Sequence, residues 1–171
     1  MDFSRLNRGR VLVGGTASLL LILSLLFLPW FSVDLSVPQR VEANTEQFNA
    51  DSFLCGTGED SCTGFDTFPI LRWLLLLAAL APLILAWILV RGHKLSWAPG
   101  EMTMIAGFAA FVLIAYNGII DKPGTGPAEI GIGLDYGYWI ALLAAIVIAG
   151  TGFTRSVESA PHRTRKAPGT V

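Results

Sequence analysis

The stretch VLVGGTASLLLILSLLFLPWF, residues 11–31, contains 21 residues without one charged side chain. An α-helix rises about 1.5 Å per residue, so a run of this length crosses the roughly 30 Å of hydrocarbon in a bilayer. A helix of a soluble protein keeps a polar face for water, and no polar face recurs at helical spacing here. The stretch therefore predicts a membrane-spanning helix.

Three further apolar stretches of similar length follow along the chain. They are FPILRWLLLLAALAPLILAWILV (68–90), EMTMIAGFAAFVLIAYNGII (101–120) and YGYWIALLAAIVIAGTGF (136–153). The chain is 53% hydrophobic and 15% charged, whereas soluble domains average about 25% charged residues. The predicted fold class is an all-α membrane protein, a bundle of four transmembrane helices. A soluble bundle of oily helices is the alternative, and the missing polar faces argue against it.

The four spans divide the chain into alternating membrane and polar segments. The predicted segments are a cytoplasmic N-terminus (1–10), span one (11–31), an extracytoplasmic loop (32–67), span two (68–90), a cytoplasmic loop (91–100), span three (101–120), a second extracytoplasmic loop (121–135), span four (136–153) and a basic cytoplasmic tail (154–171). We interpret span one as an uncleaved signal anchor, because its apolar core exceeds the roughly 7 to 15 residues of a signal peptide. The second loop, rich in glycine and proline, is predicted to lack regular structure.

Basic residues are concentrated on one side of this arrangement. With both termini on that side, it carries nine basic residues against three acidic ones, and the other side carries three basic and ten acidic residues. The nine are Arg5, Arg8, Arg10, Arg91, Lys94, Arg155, Arg163, Arg165 and Lys166. Cytoplasmic loops of membrane proteins are enriched in Lys and Arg. The sequence thus predicts a multi-pass protein of the cell (plasma) membrane with cytoplasmic N- and C-termini.

The first extracytoplasmic loop contains both cysteines of the chain, in ADSFLCGTGEDSCTGFDTF, residues 50–68. Thiols tend to oxidise on that side of a membrane, so we predict a disulfide between Cys55 and Cys62. Closing so short a loop stabilises by roughly 2.5 kcal/mol on the chain-entropy model. A redox pair or a metal site is the alternative. A redox pair favours C-x-x-C spacing and zinc requires four ligands, so both are weaker interpretations.

Small residues recur every four positions along span four: Gly137, Ala141, Ala145 and Ala149. Such a stripe lets a neighbouring helix approach closely. Packing within the bundle is the preferred interpretation, and a homodimer seam is the alternative.

Two polar side chains within the spans need partners. Arg72 lies near the outer end of span two, where it can extend toward the headgroups or form an ion pair with Asp66 or Asp34. Asn117, near the outer end of span three, is predicted to form a hydrogen bond to another helix. Aromatic residues near the outer span ends, Trp30, Phe31 and Tyr138 among them, are predicted to lie in a headgroup-level belt.

The central turns of all four spans contain no ionisable residue. Pumps, ion-coupled transporters and intramembrane enzymes need such residues, and the sequence has no phosphate loop, H-E-x-x-H motif or nucleophile beside a base. We therefore expect no enzyme activity, no catalytic, cofactor or metal site, and no nucleic-acid partner. The leading prediction is an accessory or scaffold subunit that lies in the lipid bilayer and binds a membrane protein partner. A small transporter or channel, an adhesion or envelope-sensing protein, and a homo-oligomer are the alternatives.

Sequence features along nearly the whole chain carry a resemblance. FLPWFS closes span one, GFDTF enters span two, YNGIIDKPG leaves span three and YGYWIALLAAIVIAG precedes the basic tail. In these features the chain resembles a broad set of actinobacterial four-span integral membrane proteins, which implies a location and not a reaction. A weaker resemblance, on Trp30, Cys55 and Cys62, is to the claudin-like four-span pattern. Because the 36 residues of loop 32–67 are few for a claudin-type four-stranded sheet, an independently arisen disulfide is preferred.

Overall fold

The computed structural model describes residues 3–33, 61–91, 99–120 and 132–159. The described part is mostly helical, and four of its helices are long and apolar enough to cross a membrane. These are α1 (Phe3–Phe27), α3 (Leu71–Val90), α4 (Pro99–Ala115) with a π-helical turn (Tyr116–Ile120), and α5 (Tyr136–Ser159); a short helix, α2 (Gly64–Thr67), precedes α3. The predicted set of four helices of membrane-spanning length is confirmed.

Proline and side-chain caps define several helix ends. The last helical bond of α1 runs from the Leu28 amide to the Ser24 carbonyl, at 3.2 Å, and Pro29 follows without an N–H group. Residues 29–33 are extended, so the helix ends before the predicted limit of span one. Pro99 begins α4, a position that needs no amide hydrogen. The Thr63 side chain caps α2 by accepting from the Asp66 amide at 3.2 Å.

A three-stranded antiparallel sheet covers one end of the bundle, in the order β2-β1-β3. Its strands are β1 (Pro29–Val33), β2 (Ser61–Thr63) and β3 (Ile132–Leu134). Phe31 of the central strand lies opposite Cys62 on one side and Leu134 on the other. The prediction of irregular structure throughout 121–135 was wrong for β3, and an all-α fold omits the sheet. We call this end of the molecule the sheet end.

The helices pack antiparallel around a small core that includes Leu21, Leu25, Leu75, Ile114 and Ile148. Many large apolar side chains point outward instead, among them Leu12, Leu23, Leu77, Ile105, Phe108 and Leu143. Soluble proteins seldom expose continuous apolar surface of this kind, whereas lipid is a good solvent for it. The exposed apolar surface of the helices therefore agrees with the prediction, made from their length and composition, that they span a membrane.

Candidate functional site

A buried hydrogen-bonded cluster joins α1, β1 and α5 at the sheet end. Trp30 donates from Nε1 to the Ser24 carbonyl at 3.0 Å and lies 3.2 Å from the Ser24 hydroxyl. That hydroxyl donates to the Gly137 carbonyl at 2.6 Å. Trp30 and Ser24 are both fully buried, so each polar group satisfies the other away from water. The cluster fixes where the chain leaves α1.

Tyr138 packs beside Trp30 with its ring edge-on, at 6.0 Å between centroids and an interplanar angle of 85°. Its hydroxyl donates to the Ile114 carbonyl at 3.3 Å. Gly118, in the π-helical turn, lies against this ring, and a Cβ there would come within 2.7 Å of the Tyr138 hydroxyl oxygen. A π-helical turn alters the backbone hydrogen-bond pattern, and here side chains bond to two carbonyls just before it.

The second of those carbonyls belongs to Leu113, which accepts from Asn117 Nδ2 at 2.9 Å. The predicted interhelical hydrogen bond of Asn117 was therefore wrong, because the side chain bonds within its own helix.

The expected belt positions of Trp30, Phe31 and Tyr138 were also wrong, since all three are buried. Together with Phe68, whose ring lies 5.6 Å from that of Phe31, they form what we call the aromatic plug.

Cys62 is buried in β2, directly opposite Phe31. Within the described residues it is not a free thiol. Its predicted partner, Cys55, lies outside the described residues.

Arg72 is held by aromatic rings at the start of α3. Its guanidinium carbon lies 4.8 Å from the centre of the Phe65 ring and 5.6 Å from that of the Trp73 ring. Between the two residues predicted to pair, Arg72 and Asp66, the structure shows no ion pair; the Asp66 carboxylate instead accepts from the Thr63 hydroxyl at 2.6 Å. Asp34, the other predicted partner, lies outside the described ranges.

The small-residue stripe of α5 faces the interior of the bundle. Gly137, Ala141 and Ala145 are buried, and Ala149 is half-buried. Glycines extend the close approach between α4 and α5: a Cβ at Gly107 would come within 2.8 Å of the Ala149 Cα atom. One at Gly152 would come within 2.7 Å of the Met104 Cα atom. The backbones of α4 and α5 are therefore in direct contact.

An open groove runs along the outer side of this α4–α5 contact. It has a volume of about 560 Å³, and its lining is apolar: Met104, Ile105, Phe108, Phe111, Ile146, Ala149, Gly150 and Phe153. Phe108 is 61% exposed, so the groove opens toward the surroundings of the bundle. A Cβ built on Gly150 would meet nothing within 4 Å, which leaves the groove floor accessible. We call this feature the α4–α5 groove.

Sequence reasoning did not find the α4–α5 groove. Its floor is signalled by the small residues Ala149 and Gly150, adjacent on α5, and its walls by Phe108 and Phe111 on α4. What the sequence lacks is the angle at which the two helices meet. That angle decides whether large side chains interlock or stand apart.

In the part of the chain that the structure describes, no three His, Cys, Asp or Glu side chains lie close enough together to hold a metal ion. Comparison of the chain with models of known protein families, with curated proteins and with solved structures found no match.

Proposed function

We propose that this chain is a non-enzymatic accessory or scaffold subunit of a larger membrane assembly, and that a transmembrane helix of another membrane protein docks in the α4–α5 groove. The observation that carries the proposal is the groove itself, with its apolar lining and its open floor at Gly150. The membrane is proposed to be the plasma membrane, with the basic ends of the chain in the cytoplasm and the sheet end outside.

Packing inside a bilayer explains why such a groove favours a helix. Lipid tails are as apolar as leucine, so helices associate through close van der Waals contact and not through the hydrophobic effect. A groove between two walls accepts a ridge of side chains from a second helix. Phe108 and Phe153 supply the walls, and Gly150 lets the incoming backbone approach.

The transporter or channel alternative has less support from the buried polar groups. The Ser18 hydroxyl donates to the Gly14 carbonyl at 2.9 Å, within its own helix. The Ser24 hydroxyl donates to the Gly137 carbonyl. These two of the four buried polar or charged side chains in the described residues are engaged in bonds to the backbone, whereas a solute pathway needs polar groups that remain available.

An adhesion or envelope-sensing role is the second candidate, favoured by the sheet. The sheet combines strands from both polar segments at this end, and it aligns Cys62 with Phe31. A proposed Cys55–Cys62 disulfide would hold the polar segment before α2 on this sheet. The weaker resemblance of the sequence to the claudin-like pattern also favours this candidate, and the resemblance to actinobacterial four-span proteins is compatible with either one.

A groove-filling variant tests the leading proposal. The wild-type chain, Gly150→Phe and Leu23→Phe are each extracted in mild detergent from the native membrane and weighed intact by native mass spectrometry. Leu23 is an exposed apolar residue of α1, away from the groove, and so serves as the matched control. We expect one additional protein with the wild type and with Leu23→Phe, and at least tenfold less with Gly150→Phe.

Three results would contradict the proposal. A wild-type chain that is monomeric and without a partner removes the accessory role. A partner retained equally by Gly150→Phe removes the groove. A homodimer sensitive to Gly150→Phe replaces the proposed heterologous partner with a second copy of the chain.

A further inference from the structure

Arg72 forms a second feature, separate from the α4–α5 groove. The guanidinium is held by two rings, Phe65 from α2 and Trp73 from α3, which themselves pack edge-on with 5.8 Å between centroids. Cation–π contacts restrict the guanidinium plane without neutralising its charge. The long side chain is thus positioned in advance, so that less conformational entropy is lost when it binds an anion.

The charge of Arg72 has no counterpart in the part of the chain that the structure describes. The first turn of α3 contains no acidic residue. Arg72 Nε is buried without a hydrogen-bond acceptor, and Asp66 is engaged by Thr63. An arginine presents five N–H donors in a planar fork that matches the oxygens of a phosphate. An anion at this position would meet both the charge and the donors.

The surroundings of Arg72 indicate where that anion comes from. Leu71 is the first residue of a stretch that is long and apolar enough to cross a membrane, so in a bilayer this end of α3, with Arg72, would lie near the headgroups. On the same helix, exposed apolar side chains continue away from it: Trp73 is 53% exposed, and Leu77, which is 65% exposed, follows one turn further. Positions three and four apart share one helix face. This face meets the charge at the Trp73 ring, whose centre lies 5.6 Å from the guanidinium carbon.

We propose that Arg72 binds the phosphate of an anionic phospholipid, and that one acyl chain of this lipid lies along Trp73 and Leu77. The combination of a fixed guanidinium with an adjacent apolar face distinguishes a lipid from free phosphate, which would use only the first. The site is on α2 and α3, so it is independent of the proposed function.

Lipid retention measured by native mass spectrometry tests the site. The protein is reconstituted in phosphatidylcholine nanodiscs with and without phosphatidylglycerol, and bound lipids are counted after release. We expect one retained phosphatidylglycerol for the wild type and about tenfold weaker retention for Arg72→Gln, which corresponds to about 1.4 kcal/mol. Arg72→Lys keeps the charge but loses the planar fork, and we expect an intermediate loss.

Arg91→Gln is the matched control, because Arg91 also lies over a ring, at 4.0 Å from the centre of Trp87, at the opposite end of α3. We expect it to retain the lipid lost from Arg72→Gln. Equal loss from both variants, or unchanged retention by Arg72→Gln, would overturn the proposal. Release of the lipid by millimolar inorganic phosphate would also overturn it, since the site would then bind free phosphate. A thermal unfolding scan in phosphatidylcholine alone confirms that the variants are folded.

Discussion

The sheet end and the α4–α5 contact both depend on glycines, but they use them differently. At the sheet end, two glycines face aromatic rings: Gly118 lies against Tyr138, and Gly64 lies against Trp30. Along the α4–α5 contact, Gly107 and Gly152 face backbone atoms of the neighbouring helix. The first region buries Trp30, Phe31 and Tyr138, whereas the second leaves large side chains beside an open groove. One region therefore fixes the fold, and the other has surface to offer a partner.

The solvent explains why both arrangements are stable in one molecule. In water an open apolar groove would be costly, but lipid tails cover it at little free-energy cost. Stability inside the bilayer comes from close contact and from hydrogen bonds, and the sheet end has both. Changes at the aromatic plug should consequently weaken folding, while changes at the groove floor should not.

The largest expected effect follows from Trp30→Ala at the aromatic plug. Removing this buried ring leaves a cavity and takes away the donor to Ser24, so the free energy of unfolding should fall by about 3–5 kcal/mol. Trp73→Ala removes a ring that is 53% exposed and should cost much less. Equilibrium unfolding in mixed detergent and dodecyl sulfate measures both losses of free energy. Equal losses would show that the aromatic plug contributes no more to stability than an exposed ring does.

The proposed disulfide should contribute next, because it would close the polar segment beside the sheet. Reduction of the wild type should lower its stability by roughly 2.5 kcal/mol, and Cys55→Ser should be less stable to the same extent and insensitive to reductant. The midpoint of thermal unfolding with and without dithiothreitol is the measurement. A wild-type midpoint unaffected by reductant would contradict the bond.

Gly152→Ala compares the helix contact with the groove directly. The new Cβ would come within 2.8 Å of the Gly100 carbonyl oxygen, so the helices must move apart at a cost of about 1–3 kcal/mol. Gly150→Ala, two residues earlier on the same helix, meets open space and should be neutral or slightly stabilising. Both changes gain helix propensity, so their difference in melting temperature isolates packing. Matching melting temperatures would mean that α4 and α5 are not in backbone contact.

The smallest effect is expected for Ser24→Ala, which deletes the hydroxyl shared by Trp30 and Gly137. Hydrogen bonds between membrane helices contribute about 0.6 kcal/mol on average and about 1.7 kcal/mol at most. Ser18→Ala removes a bond within α1 only and should change stability less. The same unfolding assay distinguishes the two variants. A larger loss of stability for Ser18→Ala would contradict the conclusion that the hydrogen bonds of the sheet end contribute more to stability.

The four long helices were predictable from the sequence because lipid imposes a simple requirement of length and apolarity. The sheet was not, because β2 and β3 are three residues each, and alternation over so short a distance does not predict a strand. Trp30 illustrates the limit: an aromatic residue at a span end is typical of a headgroup belt, yet Trp30 is buried and donates to the Ser24 carbonyl. The stripe of α5 was visible as a pattern, but its use inside the bundle depended on where α4 lies.

Photo-crosslinking in the native membrane tests most directly whether the α4–α5 groove holds another protein's helix. A benzophenone side chain is placed at Gly150 in the groove floor, or at Leu23 on the exposed face of α1. The groove position should give one protein adduct of constant mass, and the α1 position should give none. The same adducts from both positions, or adducts with lipid alone at Gly150, would contradict a docked helix.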